Sequence, residues 1–94
     1  MLMADAVDRQ LLANPLITAQ RMEAGAVLMD AATGECFELN RVGAEVWEQI
    51  ASGGDMTKVV TVLANRYRMA EDLISADVAR LVDELLARGL VRLK

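Results

Sequence analysis

Residues 26–40 read AVLMDAATGECFELN, and the ten that follow, RVGAEVWEQI, change rhythm. Ala26-Val27-Leu28-Met29-Asp30 is a short apolar run that stops at a turn signal. In Glu35-Cys36-Phe37-Glu38-Leu39 the side chains alternate, so that Glu35, Phe37 and Leu39 share one face and Cys36 and Glu38 the other. Between the runs lies Ala31-Ala32-Thr33-Gly34, where Gly34 is able to take φ > 0. Two strand-like runs joined by a short glycine-containing loop predict a β-hairpin. At Asn40 the period then switches from two to about 3.6. Asn40 is suited to cap a helix whose apolar stripe is Val42, Val46, Trp47 and Ile50.

Working outward, Leu16–Met22 also carries β-branched residues in rough alternation, and Glu23-Ala24-Gly25 reads as a turn. Three antiparallel strands are therefore expected between residues 16 and 39. Pro15 disfavours helix at Asn14. Residues 1–13 are read as a tail, with at most a short helix over Asp5–Leu12, and residues 14–94 as the domain. Downstream, Gly53-Gly54 ends the first helix. Thr57 is the expected cap of a second, carrying Val59, Val60, Leu63 and Tyr67. A third is expected to open at Asp72 or Ser75, with Val78, Leu81, Val82, Leu85 and Leu86 on one stripe. Gly89 falls where a helix-terminating glycine belongs, and Leu90 would contact Leu85. Strands followed by helices predict an α+β fold: a three-stranded antiparallel sheet, then three helices of winged-helix-like length.

The 94 residues suit one domain, and 54% of them are hydrophobic, enough for one modest core. Phe37, Trp47 and Tyr67 are the only aromatic residues, so aliphatic side chains must fill most of it. Trp47 and Tyr67 are expected in that core. The net charge is −4. It is concentrated in residues 1–50, with eight acids against three bases, whereas residues 51–94 have six acids and seven bases. An acidic chain repels phosphate backbones, which argues against general nucleic-acid binding. The first half favours a neutral or basic partner.

Much catalytic chemistry is missing. There is no histidine, which removes imidazole bases and the commonest metal ligand, and a single cysteine cannot form a zinc knuckle or a CxxC pair. Cys36 sits among Glu35, Phe37 and Glu38, with no base to activate it, and reads as a small strand residue. Phosphate-binding and nucleophile-elbow motifs are absent. No metal, no cofactor and no enzymatic activity are expected. A lone cysteine, no transmembrane-length run and no signal-peptide pattern suggest a cytoplasmic protein.

Several pieces in order carry a family pattern. They are the strand Ala26–Asp30, a D-x-x-T-G turn through Thr33-Gly34, the strand end Phe37-Glu38-Leu39-Asn40, and Gly43-Ala44-Glu45-Val46-Trp47-Glu48 on the following helix. Ala76-Asp77-Val78 and Leu81-Val82-Asp83-Glu84-Leu85-Leu86 then lead to Gly89-Leu90-Val91. Over roughly residues 16–92 the chain resembles the PqqD-like family, whose members are RiPP recognition elements in natural-product biosynthesis. The turn and strand pattern is closer to stand-alone elements of lasso-peptide type than to the pyrroloquinoline-quinone protein. The resemblance implies a three-stranded sheet on three helices in a winged-helix arrangement. It also implies a precursor's leader peptide added as a strand beside the third strand, in the groove facing the third helix. The partners it implies are that precursor and a maturation enzyme: a protease, a cyclase or a radical enzyme.

The residues point the same way. A strand at a sheet edge has unpaired N–H and C=O groups that an extended peptide can use. Glu35, Cys36, Phe37, Glu38 and Leu39 are the candidates on the strand, with the Leu39 N–H expected among the edge donors. Asp77, Arg80, Leu81, Glu84 and Arg88 are the candidates along one side of the third helix. Two other readings compete. A winged-helix DNA-binding protein would need a basic recognition helix, but Arg80 and Arg88 face Asp77, Asp83 and Glu84. A structural subunit of an enzyme complex would also use a free edge, and an open edge is compatible with a monomer or a homodimer.

Overall fold

The computed structural model describes residues 11–53 and 56–93. The chain runs through β1 (Leu11–Ala13), β2 (Ile17–Met22), β3 (Gly25–Asp30), β4 (Cys36–Asn40), α1 (Arg41–Ala51), α2 (Met56–Tyr67), α3 (Glu71–Ala87) and β5 (Val91–Leu93). The expected α+β order is present, with β2-β3-β4 as a three-stranded antiparallel sheet followed by three helices.

The D-x-x-T-G turn between β3 and β4 is built from three local devices. The Asp30 carboxylate accepts the Ala32 N–H at 2.8 Å, and the Thr33 hydroxyl accepts the Glu35 N–H at 3.1 Å. Gly34 takes φ = 77° and donates its N–H to the Asp30 carbonyl at 2.7 Å. The turn sets a register in which Leu28 pairs with Phe37 and Ala26 with Leu39. At the far end of this hairpin Gly25 pairs with Asn40, and a Cβ at Gly25 would run into the Leu39 carbonyl. Close backbone approach, not positive φ, is what requires glycine there.

Asn40 caps α1 as expected, its side-chain oxygen accepting the Gly43 N–H at 2.8 Å. α3 ends as the sequence predicts: Gly89 is at φ = 72°, its N–H bonds the Leu86 carbonyl, and the Leu90 N–H bonds the Leu85 carbonyl at 2.9 Å. These are the paired bonds of a Schellman ending, and they bury Leu90 against the core. The core gathers Leu28 from the sheet, Val46, Trp47 and Ile50 from α1, Val59, Val60 and Leu63 from α2, and Ile74, Val78, Val82 and Leu85 from α3. Trp47 is core; Tyr67 is only half-buried.

Three expectations change. Leu11–Ala13, read as the end of the tail, form β1 and pair antiparallel with β5, and Leu11 enters the core. Asn14 locks that pair in place: its N–H bonds the Leu90 carbonyl at 2.9 Å and its side-chain amide the Gly89 carbonyl at 3.1 Å. Strands of three residues carry too little pattern to be read locally, and their partner lies at the other end of the chain. The rest of the tail, including most of the helix considered over Asp5–Leu12, falls outside the described residues. Secondly, α2 begins at Met56, so Thr57 stands in the first turn and not at the cap. Thirdly, α3 starts before both expected caps. Ala70 precedes it with no side-chain bond, and its carbonyl takes the Leu73 and Ile74 N–H groups. Glu71 and Asp72 in the first turn complement the helix dipole instead.

Candidate functional site

β4 is an edge strand: β3 lies on one side of it and no described strand on the other. Which of its backbone groups face outward follows from the turn. The Asp30 N–H bonds the Glu35 carbonyl at 2.9 Å, which makes that pair a hydrogen-bonded position of the ladder. Such positions alternate in an antiparallel pair. Phe37 and Leu39 therefore bond to β3, consistent with the Leu39 carbonyl pressing on Gly25. Cys36 and Glu38 turn their N–H and C=O groups to the open edge. The expectation that Leu39 supplies an edge N–H is thus corrected: the turn's length sets the parity, and the edge donors are Cys36 and Glu38.

Beside this edge lies a groove of about 840 Å³ between β4 and α3. All ten residues singled out from the sequence line it. Glu35, Cys36, Phe37, Glu38 and Leu39 form one wall, and Asp77, Arg80, Leu81, Glu84 and Arg88 the other. The strand side chains divide as the alternation predicts, with Phe37 and Leu39 half-buried against the core and Cys36 and Glu38 exposed. The floor is apolar: Val46, Val78 and Leu85 are buried, and Leu81 is half-buried.

The charges of the helix wall are paired among themselves. Arg80 bridges to Asp77, and Arg88 lies 3.3 Å from Glu84. Arg88 also reaches across the groove, its guanidinium carbon 5.1 Å from the centre of the Phe37 ring. A cation over an aromatic face is attracted by the ring's quadrupole, so this contact ties α3 to β4 at one end of the groove. Among the described residues Glu35 and Glu38 have no ion-pair partner.

The opposite end holds residues the sequence reading missed. Tyr67 and Met69, at and just beyond the end of α2, line the groove together with Ile74 of α3. Arg68 between them is the one described non-glycine residue at positive φ, 53°, and the Met69 N–H bonds the Ala64 carbonyl at 3.0 Å. The tight reversal carries Met69 into the groove wall. Tyr67 followed the helical stripe and read as core; the polar tip of a tyrosine was the available signal that it borders a surface. No group of metal-ligating side chains occurs among the described residues, and no described helix is long and apolar enough to cross a membrane.

Comparison with known proteins agrees with this geometry. Residues 25–91 match the family model of coenzyme PQQ synthesis protein D (PqqD). The chain belongs to the PqqD family. The matched span begins at β3 and ends in β5, and so contains both groove walls. Among solved structures, this PqqD-family chain is similar to a lasso peptide synthetase B1 complexed with its leader peptide. The TM-score is 0.80 at 25% identity, over 88% of this chain and 98% of that one. It also shares the fold of TbiB1 in complex with the TbiA(beta) leader peptide, at a TM-score of 0.79 and 18% identity, over 86% and 94% of the two chains. A search of curated proteins finds no match.

Proposed function

We propose that this chain binds the leader of a ribosomally made precursor peptide as an added strand beside β4, and presents it to a maturation enzyme without itself catalysing a reaction. The observation that carries the reading is the open edge of β4, where the Cys36 and Glu38 backbones face outward onto a groove walled by α3. The two similar solved structures are complexes with leader peptides, which supports the same use of the fold.

Main-chain bonds at the edge supply affinity without regard to sequence, so the groove must choose the guest. Two apolar guest side chains lowered onto Phe37, Leu39 and Leu81 contribute roughly 1.5–3 kcal/mol each. Ordering a flexible leader costs about 2–5 kcal/mol. Binding is then saturable and reversible, which suits handing a substrate onward. The ten groove residues named from the sequence act as the contact set, and the receiving enzyme is a protease, cyclase or radical enzyme of the same cytoplasmic pathway. Arg80 and Arg88, both paired with acids of their own helix, leave α3 poorly suited to phosphate backbones.

The test is a fluorescence-anisotropy titration with the labelled N-terminal part of a precursor encoded in a neighbouring reading frame. A saturable rise competed by unlabelled leader is expected. A flat titration with correctly folded protein would overturn the reading.

A further inference from the structure

We infer that the groove selects a guest segment with a lysine or arginine flanked on both sides by apolar residues, the base lying opposite Glu38. The inference rests on the strand-addition reading above and adds the chemistry of the guest.

The outer face of the sheet carries Thr18, Gln20 and Met22 on β2, Val27 and Met29 on β3, and Cys36 and Glu38 on β4. Glu38 is the one charged side chain among these strand residues, and it stands at the open edge. Its cross-strand neighbour Val27 offers the carboxylate nothing, and no described cation pairs with it. The basic residues of the groove are not available either, since Arg80 and Arg88 are held by Asp77 and Glu84. The strand wall therefore keeps unbalanced negative charge where a guest must lie.

Geometry makes the selection positional. Glu38 turns its N–H and C=O outward, so in a guest added antiparallel to β4 the residue that exchanges both bonds with it stands directly alongside, with its side chain on the same outer face. The guest residues before and after that one point the other way, toward Phe37, Leu39 and the apolar floor. One carboxylate and the pleat together specify the order apolar, basic, apolar. An acid opposite Glu38 is repelled by a like charge at the same spacing.

The probe is a surface-displayed library of short random peptides, selected separately on the wild-type protein and on Glu38→Lys. Wild-type selection is expected to enrich Lys or Arg between apolar residues, and Glu38→Lys to enrich Asp or Glu at that place. A peptide enriched by the wild type should bind Glu38→Gln roughly fivefold more weakly and Glu38→Lys about tenfold more weakly, with the difference shrinking at high salt. Enriched peptides with no base at a fixed place, or the same peptides from both proteins, would sink this inference and leave strand addition standing. Failure of the folded wild-type protein to enrich any peptide would count against strand addition itself.

Discussion

Arg88 and Phe37 meet across the groove, the guanidinium carbon 5.1 Å from the ring centre, although one residue follows the last turn of α3 and the other sits inside β4. Arg88 is also shared with Glu84, one helical turn back. This contact is the described side-chain link that crosses from the helix wall to the strand wall by charge and not by apolar packing.

A planar guanidinium stacks on a ring better than a compact ammonium does. Arg88→Lys should therefore lose part of this contact while keeping its charge. In a double-mutant cycle of Arg88→Met, which removes the cation altogether, with Phe37→Leu, we expect a coupling of about 0.5–1 kcal/mol, the range for partly exposed cation–π pairs. Urea denaturation of the four proteins measures it. A coupling of zero would mean that the two side chains meet without consequence.

Proline separates the two sides of β4. Glu38→Pro removes an N–H that faces the open edge, a place where edge strands tolerate proline. Leu39→Pro removes an N–H that bonds β3. The first variant should keep its stability and lose leader binding, whereas the second loses a ladder bond to β3 and should be destabilised by roughly 1–3 kcal/mol. Thermal melts beside anisotropy titrations read both effects, and the opposite pattern would show that the parity assigned to the ladder is wrong.

At Gly25 a methyl group meets the Leu39 carbonyl, which is backbone and cannot rotate away. Gly25→Ala should force β4 outward and cost about 1–3 kcal/mol. For a domain of this size each kcal/mol lowers Tm by roughly 4–8 °C. A melting temperature equal to that of the wild type would show that the hairpin absorbs the clash by a small slide.

Arg68 lies where the chain leaving α2 needs positive φ, a conformation glycine takes without steric cost. Arg68→Gly is expected to stabilise the fold by about 0.5–1 kcal/mol. Tm should rise, since Arg68 makes no described ion pair whose loss would offset the gain. A fall would indicate that the arginine stem packs usefully on its neighbours.

Much of this protein is written in short stretches. Alternation placed Phe37 and Leu39 on one face of β4, a switch of period marked the start of α1, and Asn40 and Gly89 marked helix ends with the bonds expected of them. The stripes of all three helices put their residues in or against the core. These features depend on neighbours within a few residues, so their signals are local. The ten residues that line the groove were named too, but spacing only grouped them along one strand and one side of a helix; the resemblance to the PqqD-like family is what set that strand and that helix opposite each other.

Other features depended on contacts between distant parts of the chain. β1 and β5 are three residues each, and Leu11 finds its place only because Leu93 arrives beside it from the far end. The same holds for Tyr67 and Met69, brought to the groove by a reversal at Arg68 that no periodicity announces. Whether Leu39 or Glu38 faces the open edge turned on one hydrogen bond between Asp30 and Glu35. Spacing says which side chains share a face. It does not say which backbone groups bond the partner strand, because that parity is set by how the turn closes the hairpin, and the pairing of β1 with β5 is made only when remote segments dock and the entropy of closing the chain between them is overcome.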